Sequence, residues 1–275
     1  MDLNTIKEIS RPGGRPELPA WRNGDGFLAG GTWLYSEPQP NLTRLVDLAG
    51  LGWTPLEADA GGLTIAATCK IAQLHTFSAP VAWTAAPMIE QCCRSFLASF
   101  KIWNAATVGG NICLSLPAAP MISLVSGLEG VCILWAPDGG ERKIPIVEFV
   151  TGPQQNILKP GELLRAVHLP ATALSKRSAF RQISLTQLGR SAALLIGTLD
   201  PKNGAFILTV TASTRRPIQL RAAKLPSREA LREQIQAEIA TPLYFDDVHG
   251  APAWREQMTY LLAEEIRDEL ARGGA

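Results

Sequence analysis

The chain has almost no net charge. Its 26 lysines and arginines stand against 25 acidic residues, leaving +1, and no basic run exceeds a pair such as Arg215-Arg216. A face that tracks phosphate backbones carries a marked basic excess, so nucleic acid is excluded as the main partner. No apolar stretch approaches the roughly 20 residues that a membrane span requires. The N-terminal MDLNTIKEISRPGG lacks the apolar centre of a secretory leader, so a cytoplasmic location is expected. The five cysteines, Cys69, Cys92, Cys93, Cys113 and Cys132, are odd in number, irregularly spaced and never arranged as C-x-x-C. That pattern supports neither a zinc knuckle nor an iron–sulfur cradle, and reduced thiols are expected instead. His75, His168 and His249 stand isolated, and no nucleophile lies beside a base, no ligand cluster gathers and no acid pair recurs. Chemistry that side chains do not carry points to a cofactor.

What is present is apolar bulk: 46% of 275 residues are hydrophobic, enough for two or more cooperating units. Residues 27–34, FLAGGTWL, read as an apolar strand broken at Gly30-Gly31, and 44–50 as the next short strand. GGLTIAATC (61–69) alternates and is β-branched, so it predicts a strand, and 71–77 opens a short helix with Thr68 as its N-cap. Residues 84–100 place Met88, Ile89, Cys92, Cys93, Phe96 and Leu97 at the spacing of a buried helix, which makes the cysteine pair core packing; 118–129 reads as a second buried helix. Residues 130–149 predict a hairpin turning at Pro137-Asp138-Gly139-Gly140. Strands follow at 162–170, 179–184, 192–199 and 205–213, the last two joined by a turn at 200–204. Two helices, 227–240 with Ser227 as N-cap and 253–274 with Trp254, Met258, Leu262, Ile266 and Leu270 in a stripe ending at Gly273, close the chain. The layout is α+β in three parts, with boundaries near 51–60 and 171–178.

Gly-Gly occurs twice after an apolar strand, in AGGT (29–32) and TVGGN (107–111). Glycine lets backbone N–H groups approach a ligand, and successive N–H groups can form a concavity that holds an anion. Thr32 and Thr107 add hydroxyls and Asn111 an amide, so two such loops converging would hold a diphosphate without lysine. Ordinary tight turns would use the same residues. Neither loop matches the Rossmann or Walker pattern.

The order of these pieces resembles the FAD-binding medium subunit of the molybdenum hydroxylases, the group of xanthine dehydrogenase, carbon monoxide dehydrogenase and related aza-aromatic hydroxylases. The resemblance is carried by LAGGTWL (28–34), LVDLAGL (45–51), IWNAATVGGNIC (102–113), ILKPGELLRAVHLP (157–170), AFRQIS (179–184), TASTRRPIQLRAAK (211–224) and DDVHGAPAWREQM (246–258), in family order over nearly the whole chain. It implies a two-part FAD-binding domain of the vanillyl-alcohol-oxidase (PCMH-like) type, residues 1–55 and 56–172, and a C-terminal α+β domain of the CO dehydrogenase flavoprotein type, 173–275. It further implies that Ala29, Gly30, Gly31, Thr32 and Trp33, with Thr107, Gly109, Gly110 and Asn111, contact the FAD diphosphate, and that Leu164 packs on the FAD rings. Arg181 falls where some members carry a lysine near the flavin, where a cation favours the anionic reduced ring; a surface ion pair would use it equally well.

Four positions depart from the family pattern: Trp33, Leu116, Pro120 and Leu188 stand where polar or acidic side chains are usual. FAD is still expected to bind, more weakly or through substituted contacts. The resemblance implies an electron-transfer subunit that receives electrons from 2Fe–2S clusters in a small partner subunit and passes them to an external acceptor. A large partner subunit would hold the molybdenum cofactor, and the assembly would be a dimer of heterotrimers. A stand-alone flavin oxidase, with activated side chains or a covalently attached flavin, and a cofactor-free scaffold subunit are the alternatives.

Overall fold

The computed structural model describes residues 3–273. The first two and last two residues, including Gly274 at the tail of the expected final helix, lie outside the described residues. Strands β1 (Glu8–Ser10), β2 (Asp25–Leu28) and β3 (Arg44–Asp47) form a parallel sheet in the order β1-β3-β2. The strand expected over 27–34 stops at Leu28, because the glycine pair turns the chain away. Across the sheet, Asp25 and Arg44 occupy paired register positions. Arg44 Nε donates to Asp25 Oδ1 at 2.8 Å, and the backbone N–H of Arg22 donates to Oδ2 at 2.8 Å. A buried carboxylate is tolerated only when paired and hydrogen-bonded in this way. The Arg44 guanidinium therefore holds the Asp25 carboxyl below its ordinary pKa, although burial opposes the shift. The pair anchors β2 at the point where it delivers the first glycine loop.

The middle of the chain contributes β4 (Leu56–Asp59), β5 (Gly62–Ala66), α1 (Ile71–His75), α2 (Pro87–Arg94), α3 (Phe100–Trp103), α4 (Val108–Leu114), α5 (Pro120–Gly127), β6 (Val131–Trp135), β7 (Glu141–Pro145), α6 (Ile146–Phe149), β8 (Val150–Gly152), β9 (Gln155–Asn156), β10 (Leu163–Pro170) and α7 (Ala171–Leu174). Five of these strands form an antiparallel sheet in the order β4-β5-β10-β6-β7, and β8 pairs with β9. Three expectations are corrected. The helix predicted over 84–100 ends at Arg94, and the chain re-forms a single turn in α3. The chain enters α1 through Lys70 rather than Thr68, with the Gln73 side chain accepting from the Lys70 N–H at 3.0 Å. The hairpin turns where expected, but after β7 the chain passes into α6. Cys92 and Cys93 are buried on α2, as the apolar spacing required.

The C-terminal segment is a meander of β11 (Arg177–Ile183), β12 (Ala193–Leu199), β13 (Phe206–Thr211) and β14 (Ile218–Ala222), followed by α8 (Arg228–Glu238) and α9 (Pro252–Arg272). The strand β14 was not foreseen from the sequence. Ser227 caps α8, its hydroxyl accepting from the Ala230 N–H at 3.1 Å. The continuous apolar run of β12 follows from burial on both faces. Leu194 and Ile196 pack into the core shared with α2 and α5, while Ala193 and Leu195 pack into the core under α9. Helix α5, buried at every residue, packs against β12 and β13 and against α2, α4 and α6. No helix among the described residues is long and apolar enough to cross a membrane.

The Asp25–Arg44 pair yields a pH test. The folded state holds this carboxylate at a depressed pKa, so its stabilisation is complete above the unfolded value of about 4 and is lost as pH falls through the lower folded value. Asp25→Asn is expected to destabilise the chain near pH 7 by about 3 kcal/mol, the scale for breaking a buried pair. Urea titrations of parent and variant should converge as pH drops below 4. A gap that stays constant with pH would overturn this assignment.

Candidate functional site

The first glycine loop leaves β2 at Ala29. Gly31 takes a φ of +70°, and its carbonyl accepts from the Tyr35 N–H at 2.8 Å. A Cβ at Gly30 would lie 2.1 Å from the Ala105 carbonyl oxygen, so the loop can lie against the segment leading to the second loop only because that residue is bare. The five successive backbone N–H groups of Gly30 to Leu34 have no acceptor among the described residues, and the Thr32 hydroxyl donates to none. Backbone donors left open in this way are uncommon away from solvent or a ligand.

The second loop is organised differently. Thr107 caps α4, its Oγ1 accepting from the Gly110 N–H at 3.1 Å. Val108 donates to the Cys69 carbonyl at 2.8 Å, Gly109 to Ala67 at 2.9 Å and Asn111 to Thr107 at 3.0 Å. The backbone donors of Val108 to Asn111 are therefore taken, while those of the first loop are open; the second offers the Thr107 N–H and hydroxyl hydrogen. The Asn111 side chain is also engaged, with Oδ1 accepting from the Met121 N–H at 3.0 Å. That bond caps α5, whose own N-cap, Ala119, has no polar side chain. Pro120 is then accounted for locally: it opens α5 in the first turn, where its missing N–H has no intrahelical partner to lose and its fixed φ suits the helix.

Between the loops lies a cavity of about 890 Å³. Ala29, Gly30, Gly31, Thr32, Trp33, Thr107, Gly110 and Asn111 line it, so the structure brings together most of the residues singled out in the sequence. Gly109 and Leu164 instead line a smaller cavity of about 120 Å³, which shares Phe27, Ala29, Gly110 and Cys113 with the larger one. Arg181 lines neither cavity. Its guanidinium lies 2.8 Å from Glu265 and 2.7 Å from Glu269 on α9, the ion pair that the sequence had left open. Trp33, Leu116, Pro120 and Leu188, the four departures from the family pattern, all line the larger cavity and make its walls more apolar.

Two further walls complete the cavity. One runs from Ser95 to Ala98 and includes Ile102; the other carries Thr186, Leu188, Gly189, Arg190 and His249. Ser95 donates to Gln182 Oε1 at 2.7 Å, and Gln182 Nε2 donates to Ser191 Oγ at 2.9 Å, linking the two. Arg255 on α9, only 1% exposed, holds the second wall from behind. Its Nε donates to the Gly250 carbonyl at 2.8 Å, its Nη1 donates to the carbonyls of Ala192 (2.7 Å) and Ala212, and its Nη2 pairs with Asp247. Neither Arg190 nor His249 had a local signal; both arrive by folding over long sequence distances.

The lining contains Arg190 and His249 and, among the described residues, no carboxylate, so its electrostatics suit an anion. Burial pushes the Cys113 thiol up to about 12, which keeps it protonated and poorly nucleophilic at neutral pH. Two apolar side chains of the lining also face solvent, Leu188 at 83% exposure and Leu97 at 45%.

A fold of this kind, with an anion-compatible cavity between two glycine loops, belongs to the dinucleotide-binding proteins. Residues 21–172, more than half of the chain, match the family described as FAD binding domain in molybdopterin dehydrogenase, and the chain belongs to that family. It is 27% identical over 159 residues to caffeine dehydrogenase subunit beta of Pseudomonas sp. (strain CBB1), covering 56% of this chain and 51% of that protein. It is 29% identical over 123 residues to xanthine dehydrogenase of Oryza sativa subsp. japonica, covering 42% of this chain and 9% of that one. The matched stretch thus spans about half of the first relative and a small part of the second. Among solved structures, reconstituted CO dehydrogenase from Oligotropha carboxidovorans superposes with a TM-score of 0.83 at 19% identity, covering 98% of both chains. Quinoline 2-oxidoreductase from Pseudomonas putida 86 gives 0.78 at 18% identity, covering 99% of both. These two likenesses establish the shared fold.

The contact at Gly30 can be tested directly. Gly30→Ala drives a methyl group into the Ala105 carbonyl and is expected to lower unfolding free energy by about 1–3 kcal/mol, the usual cost of overpacking. Urea denaturation measures it, and an unchanged midpoint would remove close approach as the reason for glycine.

Proposed function

We propose that this chain is the FAD-containing electron-transfer subunit of a heteromeric molybdenum hydroxylase. In this reading it takes electrons from 2Fe–2S clusters in a small partner subunit and delivers them to an external acceptor. A large partner subunit holds the molybdenum cofactor, where the organic substrate is hydroxylated. Assembly as a dimer of heterotrimers, a cytoplasmic location and a division at 1–55, 56–172 and 173–275 belong to the same reading. The observation that carries it is the row of open N–H groups from Gly30 to Leu34 facing a cavity without a carboxylate, inside a chain of the FAD-binding family.

The residues present fit FAD. The cavity falls within the range of about 300–1,000 Å³ typical of ligand sites. A diphosphate needs several donors, and the open N–H groups with the hydroxyls of Thr32 and Thr107 supply them. Gly30 and Gly31 keep the first loop bare enough for close approach, while the hydroxyls orient the phosphates. Trp33, Phe96, Leu116 and Pro120 exclude water from the walls. When bound, FAD supplies the redox chemistry, accepting and releasing electrons one or two at a time. The proton that two-electron reduction of a flavin takes up would come from solvent, in keeping with the absence of a base–nucleophile pair in the sequence.

The apolar substitutions at Trp33, Leu116, Pro120 and Leu188 favour one second reading, a cofactor-free scaffold subunit. A stand-alone oxidase with a flavin attached through the lining cysteine is disfavoured by the protonated Cys113 thiol. The visible spectrum of the purified chain, and of its supernatant after heat denaturation, separates the three. Flavin bands released into the supernatant are expected. Bands retained in the precipitate would favour the oxidase. A colourless chain that takes up no added FAD, alone or with its partner subunits, would leave the scaffold.

A further inference from the structure

The negative charge of a bound dinucleotide has to be neutralised in a cavity whose walls are largely apolar, and the glycine loops meet only part of that need. The first loop offers dipoles rather than charge, and in the second the backbone donors of Val108 to Asn111 already have acceptors. No lysine lines the cavity. Arg190 does, and it is set apart from the other arginines. Each of the others among the described residues is engaged in a hydrogen bond, an ion pair or an aromatic stack. Arg190 has none of these partners. Its flanking backbone is nevertheless fixed, since Gln182 holds the Ser191 side chain and Arg255 holds the Ala192 carbonyl. A free guanidinium on a pinned segment at a cavity wall is preorganised for an anion, and its planar fork matches phosphate oxygens. The segment that carries it, LTQLGR (185–190), has no acidic residue to compete.

We infer that Arg190 is the counter-ion of the bound dinucleotide's diphosphate, supplying from the second wall the charge that neither glycine loop provides. The inference rests on the FAD reading above and names a residue outside both loops. The diphosphate is the same in oxidised and reduced FAD, so Arg190 strengthens binding of both redox states alike and leaves their difference, the midpoint potential, unchanged. A cation lying on the flavin ring would do the opposite, stabilising the anionic reduced form selectively and raising the potential.

The experiment titrates FAD into the flavin-free full-length chain by fluorescence quenching and measures the midpoint potential of the bound flavin, for the parent, Arg190→Gln and Arg190→Lys. Because Arg190 is exposed and unpartnered, neither substitution removes a contact that holds the fold, and thermal unfolding of the flavin-free proteins serves as the control. Arg190→Gln is expected to weaken FAD by at least about tenfold, the scale of a lost charge-assisted contact. Its deficit should shrink as salt rises, Arg190→Lys should recover part of the affinity, and the potential should not move. Unchanged FAD affinity in Arg190→Gln would overturn the inference. So would a lowered potential, which would place the side chain at the ring. A parent chain that takes up no FAD would sink the underlying reading and the inference with it; a parent that binds FAD beside an equally competent Arg190→Gln would sink the inference alone.

Discussion

The site depends first on one steric fact, the absence of a side chain where Gly30 meets the Ala105 carbonyl. Two chain segments separated by some 75 residues touch there backbone to backbone. Everything around the contact serves to hold it. The Asp25–Arg44 pair fixes the strand that delivers Gly30, and the Thr107 cap fixes the helix that follows Ala105. The bare surface that results is demanded by packing before any ligand is considered. Its use for binding follows from which N–H groups the packing leaves open.

The cavity is completed by the other end of the chain. Arg255 reaches from α9 to carbonyls at the start of β12, just after β13 and in the loop before its own helix. A guanidinium with this many fixed acceptors is a rigid bracket, and its burial is tolerable because its donors are engaged. The C-terminal sheet thereby does more than cover the cavity: it sets the spacing of the wall that carries Arg190 and His249. Helix α5, packed against β12 and β13 of that sheet and against α4, which carries the second glycine loop, ties the wall to the loop.

Much of this was legible in the sequence because it is written locally. Alternation marked β5, a serine marked the start of α8, and two glycine pairs marked the loops. The order of those pieces along the chain already points to the family. What stayed hidden depends on partners distant along the chain. Arg181 and Arg190 are nine residues apart and look alike in sequence; only the fold gives one of them to Glu265 and Glu269 and leaves the other unpaired. The second glycine loop resembles the first as a string, yet its amides from Val108 to Asn111 are taken by the carbonyls of Cys69 and Ala67 and by Thr107, the cap of its own helix. Asn111 lines the cavity and, through Oδ1, also caps a helix ten residues away. The stripe on α9 was read through its apolar members, and its most consequential residue, Arg255, was passed over because it is charged.

Leu188 is a hinge of another kind: it belongs to the cavity wall and is also 83% exposed to solvent. One side chain thus borders two environments at once, the interior and the bulk. Anything that buries it from outside withdraws apolar surface from water and at the same time presses on the wall of the cavity. The outer surface and the interior are therefore mechanically joined through a single leucine.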